Sequence, residues 1–235
     1  QGGVIQAYNG TIVNISGGTF KNNKSNKSDG GVLAAYGTLN VTGGTFEGNN
    51  AKKIGGAIII GSRATANIKN ATFKENKAST GGAVYALNAI SITDTVFEEN
   101  EANWGGAIFT VSGLELNNIR FSGNKADKQG GAIYVQRGNA DITDSIFSKN
   151  ESESGGGAIF IAYNNNGTTS ISKTLFTENV SSAFGGGIYL GINGKLEVSE
   201  SEFTQNQAAY GAAISSAGTG NVDTNKTNIK VDSST

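Results

Sequence analysis

Residues Ile90–Phe109, ISITDTVFEENEANWGGAIF, hold the pattern that decides the fold. They open on alternation: Ile90 and Ile92 are apolar, Ser91 and Thr93 polar. Period-2 alternation marks a strand with one buried face. Phe97, Asn100 and Ala102 follow, and Gly105-Gly106-Ala107-Ile108 closes the unit. The same unit recurs in both directions. Phe-x-x-Asn stands at Phe20/Asn23, Phe46/Asn49, Phe73/Asn76, Phe97/Asn100, Phe121/Asn124, Phe147/Asn150, Phe176/Asn179 and Phe203/Asn206. Gly-Gly begins at Gly2, Gly30, Gly55, Gly81, Gly105, Gly130, Gly156 and Gly185, with a degenerate copy at Gly211. Successive Phe positions lie 24 to 29 residues apart. A fixed period of this length predicts a solenoid, whose coils bury their apolar faces on one another.

Aligning the repeats shows which side chains share a face. Five residues before each Phe stand Ile15, Val41, Ile68, Ile92, Leu116, Ile142, Ile171 and Val198. One residue earlier the column is polar: Asn14, Asn40, Asn67, Ser91, Glu115, Asp141, Ser170 and Glu197. The Phe begins a second inward series that continues through Asn to a small residue, such as Ala102 or Ala126. The Gly-Gly segment carries a constant aliphatic: Ile5, Leu33, Ile58, Val84, Ile108, Ile133, Ile159, Ile188 and Ile214. Three short strands per coil predict an all-β, single-stranded parallel β-helix (β-solenoid) of about eight coils of 24–29 residues. Right-handed coiling is expected from the usual sense of parallel crossovers. At about 4.8 Å per coil the rod is on the order of 40 Å long. Residues 1–235 form one repeat domain, with repeats over 1–214 and an incomplete terminal coil or tail over 215–235. The Asn column is expected to be structural, its amides bonding the turn backbone and the Asn above and below.

Composition narrows the function classes. The chain has no Cys, Pro, Met or His and a net charge of −1. No disulfide or thiolate metal site is available, and the commonest general base is missing. Near-neutral charge leaves no electrostatic footprint for nucleic acid, and no apolar run reaches transmembrane length. No cofactor and no metal site is expected. With no initiator Met, the chain is expected to be a processed product or a segment of a longer one.

Gly55-Gly56-Ala57-Ile58, Gly105-Gly106-Ala107-Ile108, Gly130-Gly131-Ala132-Ile133 and Gly156-Gly157-Ala158-Ile159, alternating with the eight Phe-x-x-Asn copies, resemble the repeats of the polymorphic membrane proteins of chlamydiae. The resemblance covers most of the chain. It implies the surface-exposed passenger of an autotransporter, an adhesive role and an extracellular or cell-surface location.

Two surfaces could carry function. Next to the constant aliphatic come Ile59, Tyr85, Phe109, Tyr134, Phe160 and Tyr189, and near the Gly pairs stand Trp104, Phe184 and Tyr210. Alternation sends either the aliphatic or the aromatic column outward. The aliphatic column is more uniform and is expected inside, leaving the aromatics as an exposed ladder. Exposed apolar patches mark interaction surfaces. Three readings stay open: cover by loops or a longer chain, lateral packing against a copy or partner, or stacking of sugar rings. The partners expected are thus another copy, lateral or end to end, a host or cell-surface receptor, or a glycan. End-to-end contact follows from coils that start inside a repeat and lack caps.

The second surface is acidic. Glu115 and Asp141 share an outward column, and Asp94 and Asp144 flank Asn118 in a neighbouring one. Paired carboxylates suit a retaining glycosidase. Without a supporting cation column or a cleft-forming insertion they read as solvated surface charge, so no catalytic residue is assigned. A carbohydrate-active or carbohydrate-binding β-helix is the alternative function. Outward sequons at Asn14, Asn40 and Asn70 are possible glycosylation sites. Asn23, Asn150 and Asn179 also begin sequons, but they belong to the inward ladder.

Overall fold

The structure is a computed structural model that describes residues 3–25, 30–163, 168–217, 221–223 and 230–232. Three sheets of nine strands run along the rod. The glycine sheet holds the Gly-Gly strands, such as Ile108–Thr110. The alternating sheet holds strands such as Leu114–Asn117, and the phenylalanine sheet strands such as Arg120–Ser122. Every pairing is parallel and in register with the repeat: Val84 faces Ile108, Ile92 faces Leu116 and Phe97 faces Phe121. The three sheets wrap one core of Ile, Leu, Val, Ala and Phe.

The phenylalanines stack through that core. Ring centroids of neighbouring coils lie 4.6–4.9 Å apart, with planes within 10° of parallel. Strand spacing sets this pitch, and parallel rings at such a distance touch only when offset. From Phe46 to Phe203 every ring of the column is fully buried, which contributes about 1.5–3 kcal/mol each as an upper estimate.

Gly105 and Gly106 show why the motif needs two glycines. Gly105 has φ +62°, and a Cβ there would lie 2.2 Å from the Ile108 carbonyl oxygen. A Cβ on Gly106 would lie 2.0 Å from the carbonyl oxygen of Gly131 in the next coil. The first glycine turns the chain, and the second lets adjacent coils close to strand distance.

The coil has four sides, not the three expected. Glu101–Trp104, Lys125–Gln129, Glu151–Ser152, Val180–Phe184 and Gln207–Tyr210 pair as a five-stranded corner sheet, and Lys24–Ser25 pairs with Asn50–Ala51. The residue before each Asn explains the extra side. Glu75, Glu99, Lys149, Glu178 and Gln205 hold φ between +53° and +55°, and Gly48 and Gly123 do the same at +62° and +64°. That left-handed residue ends the phenylalanine strand, so the inward series from Phe to the small residue is two strands joined at a corner.

The terminal coil adds strands of its own. Asn221–Asp223 and Lys230–Asp232 join the alternating and phenylalanine sheets as ninth strands, with Val231 opposite Phe203. Val231 takes the register position that phenylalanine holds in the other coils, so the coil lacks the Phe-x-x-Asn signature. Further sequons at Asn26, Asn166 and Asn225 lie outside the described residues.

Candidate functional site

In each central coil the glycine strand places three residues in alternation. Ile108 points into the core and is fully buried, as are Ile58, Val84, Ile133, Ile159 and Ile188. Phe109 therefore points away from the core, and so do Ile59, Tyr85, Tyr134, Phe160 and Tyr189. From Tyr85 to Tyr189 these rings stack at 4.8–5.2 Å with planes within 14° of parallel.

The outer column is less open than an exposed ladder. Ile59, Phe109 and Phe160 are only 2%, 8% and 7% accessible, and Tyr85, Tyr134 and Tyr189 are half-buried. The cause is the glycine corner, which folds the backbone against the column's flank. A Cβ on Gly55 would meet Ile59 Cγ1 at 2.8 Å, and one on Gly155 would meet Phe160 Cε2 at 3.3 Å. Trp104 is also half-buried, beneath Lys128, whose Nζ lies 4.2 Å from the indole centroid. Phe184 and Tyr210 are exposed and stack on each other at 5.3 Å. On the other flank Tyr163 and Ile192 are exposed, and with Tyr134, Phe160 and Tyr189 they line a groove of about 260 Å³.

This geometry limits what the column can bind. Phe109, Tyr134 and Phe160 have both faces occupied by the rings above and below, so edges and the Tyr134 hydroxyl are what they leave toward solvent. Sugar stacking needs a free ring face. Burial raises the Tyr134 hydroxyl above the ordinary tyrosine range, helped by repulsion from Tyr163.

The Asn column is internal. Asn49, Asn76, Asn100, Asn124, Asn150, Asn179 and Asn206 are fully buried, and Asn23 is half-buried at the end. Asn124 shows the pattern. Its Nδ2 donates to Phe97 O at 3.0 Å and to Asn150 Oδ1 at 2.9 Å. Its Oδ1 accepts from the Asn100 backbone N–H at 3.0 Å and Asn100 Nδ2 at 2.9 Å. One amide thus ties three coils, and no free atom is left for a ligand.

The acidic residues remain on the surface. Glu115 and Asp141 face each other in register and are exposed, beside a shallow concavity of about 500 Å³. Asp94 accepts from Asn118 Nδ2 at 2.7 Å and lies 3.7 Å from Lys69 Nζ. Among the described residues no group of three or more acidic side chains could hold a metal ion. At the sequons, Asn40 Nδ2 donates to Asn14 Oδ1 at 2.9 Å on the exposed face, and Asn70 sits in a turn at φ +54°.

Five segments, 70–87, 94–111, 118–136, 144–162 and 173–191, match the Chlamydia polymorphic membrane protein repeat. Each runs from the turn before the phenylalanine strand, through Phe-x-x-Asn, into the glycine strand. No curated protein and no solved structure matches the chain. A β-solenoid carrying segments similar to this repeat fits a surface-exposed autotransporter passenger.

Proposed function

We propose that this chain, a rod carrying five polymorphic membrane protein repeats, is a non-enzymatic adhesive or structural solenoid acting outside the cell. The match of five consecutive coils to that repeat carries the reading. The strip from Tyr85 to Tyr189, flanked by Trp104, Phe184, Tyr210, Tyr163 and Ile192, is its contact surface. The partner is a cell-surface receptor or another copy of the chain. The occupied faces of Phe109, Tyr134 and Phe160 speak against the glycan reading along the middle of the strip, and the open acidic face against a glycosidase. Beads coated with the purified chain should adhere saturably to cultured host cells, and soluble chain should compete. Coated beads that bind no more than uncoated ones would remove the adhesive reading. New reducing ends from a polysaccharide panel would remove the non-enzymatic one.

A further inference from the structure

Charge is divided along the rod. Residues 1–80 carry nine Lys and Arg against three Asp and Glu, a net of +6. Residues 81–235 carry nine against sixteen, a net of −7. Where opposite charges fall in adjacent coils, the fold pairs them: Lys21–Glu47 at 2.7 Å, Lys74–Glu98 at 3.8 Å and Lys149–Glu178 at 3.7 Å. On the corner side Lys77 and Glu101 pair in the same way, but the charges toward its two ends do not. Lys52 and Lys53 follow the strand Asn50–Ala51, and Glu153 follows Glu151–Ser152. All are exposed, and among the described residues none of Lys52, Lys53, Glu151 and Glu153 holds an ion pair.

Their positions correspond. The bridges Asn50↔Lys77↔Glu101, the pairs Glu101↔Lys125↔Glu151 and the bridges Ile54↔Thr80↔Trp104 and Gln129↔Gly155 fix the register of this side. Residues 50–54 and 151–155 are segments of equal length between the same ladder positions, so Lys52 and Glu153 occupy one position four coils apart. At 4.8 Å per coil that is roughly 19 Å, beyond the ~8 Å screening length of physiological salt. The two ends of the face cannot neutralise each other within one rod.

We infer that this face pairs with the same face of a second copy running antiparallel. The two-fold axis crosses the rod along the strand Glu101–Trp104. Such an axis preserves position along the strand and reverses the order of coils. Lys52 of each rod then faces Glu153 of the other, with Lys53 and Glu151 beside them. Ser79 faces Asp127, Lys77 faces Lys125 between Glu101 and Glu151, and Asn103 and Trp104 meet their own counterparts at the centre. Both Lys52–Glu153 contacts form at once, and the contact closes as an isologous dimer. A parallel pair staggered by four coils would make the contact once and leave the other half open. Exposed ion pairs orient more than they bind, so the dimer is weak and salt-sensitive. The inference goes beyond the adhesive reading and stands without it.

Sedimentation of the full chain tests it. A dimer should be present in about 20 mM NaCl, its dissociation constant rising roughly tenfold or more by about 500 mM. Lys52→Glu with Lys53→Glu, and separately Glu151→Lys with Glu153→Lys, should each give monomers of unchanged circular dichroism. Mixed in equal amounts they should form 1:1 dimers, because an all-acidic face meets an all-basic one. Asn103→Cys, the only thiol in its chain, should form a disulfide dimer with itself under mild oxidation. A wild-type monomer at low salt, a dimer indifferent to salt and to both reversals, or open chains from the mixture would each overturn the antiparallel pair.

Discussion

Two aromatic columns run along the rod at one pitch, and they differ in what lies around them. The inner column from Phe46 to Phe203 is sealed by three sheets. The outer column from Tyr85 to Tyr189 is covered on one flank by glycine corners and reaches solvent along its other edge. Inside, all the rings are Phe. Outside, Tyr and Phe alternate, so that hydroxyls stand at every second coil. Strand spacing enforces stacking on either side of a sheet, whereas the other side of the ring decides whether a hydroxyl is tolerated. The inner rings have only core there, and a buried hydroxyl without a partner is costly. The outer rings can send theirs to water.

The largest test removes one ring from each column. Phe121→Ala leaves a sealed cavity and should cost about 3–5 kcal/mol. Phe160→Ala removes a ring of equal size, but water can enter from the groove and neighbouring side chains can close over it. Its cost should lie nearer the transfer value of about 1.5–3 kcal/mol. Chemical denaturation of both variants measures the gap. Equal losses would mean that the outer column is as sealed as the inner one.

A second test compares two amide ladders one side of the coil apart. Asn124→Ala strands the Phe97 carbonyl, the Asn100 N–H groups and one bond of Asn150, all buried. It should cost about 1–3 kcal/mol or somewhat more, given the number of groups left unpaired. Asn67 belongs to the exposed ladder, where its Nδ2 makes a long 3.5 Å bond to Asn40. Asn67→Ala should change stability by less than about 0.5 kcal/mol. Similar shifts in melting temperature would contradict the inward placement of the Phe-x-x-Asn column.

These comparisons mark what could be read from sequence. The solenoid, the phenylalanine stack, the asparagine ladder and the inward aliphatic column were legible because each is a column of one residue type repeating at the coil period. The corner before each asparagine was not. Its left-handed positions hold Glu75, Glu99, Lys149, Glu178 and Gln205, which have no turn preference, and only Asn22, Gly48 and Gly123 hinted at it. Without that corner the fourth side merges into the phenylalanine strand. Burial of Phe109 and Phe160 was hidden for a related reason. Alternation says which face a residue takes, but it does not show backbone folding back over that face. The contact side of Trp104 likewise depends on Lys128 in the following coil, and no motif marks that residue.

The smallest effect concerns the edge of the outer column. The Tyr134 hydroxyl is held above its ordinary value, first by burial and then by repulsion from Tyr163. A raised value means that folding favours the neutral phenol. The stability tied to it is fully present below the unfolded tyrosine value of about 10 and is lost as pH rises from there through the folded value. Tyr134→Phe removes the titration and keeps the ring in its stack between Phe109 and Phe160. Near pH 7 the two proteins should melt within a few degrees of each other. As pH rises past about 10, wild type should fall faster than the variant, because its phenol must ionise where the charge is poorly solvated. The difference in melting temperature between the two, followed from neutral to alkaline pH, isolates this group, because every other residue is the same in both proteins. A difference that stays flat through the alkaline range would mean that the Tyr134 edge is as wet as an unfolded tyrosine, and the half-covered outer column would lose its distinction from an open ladder.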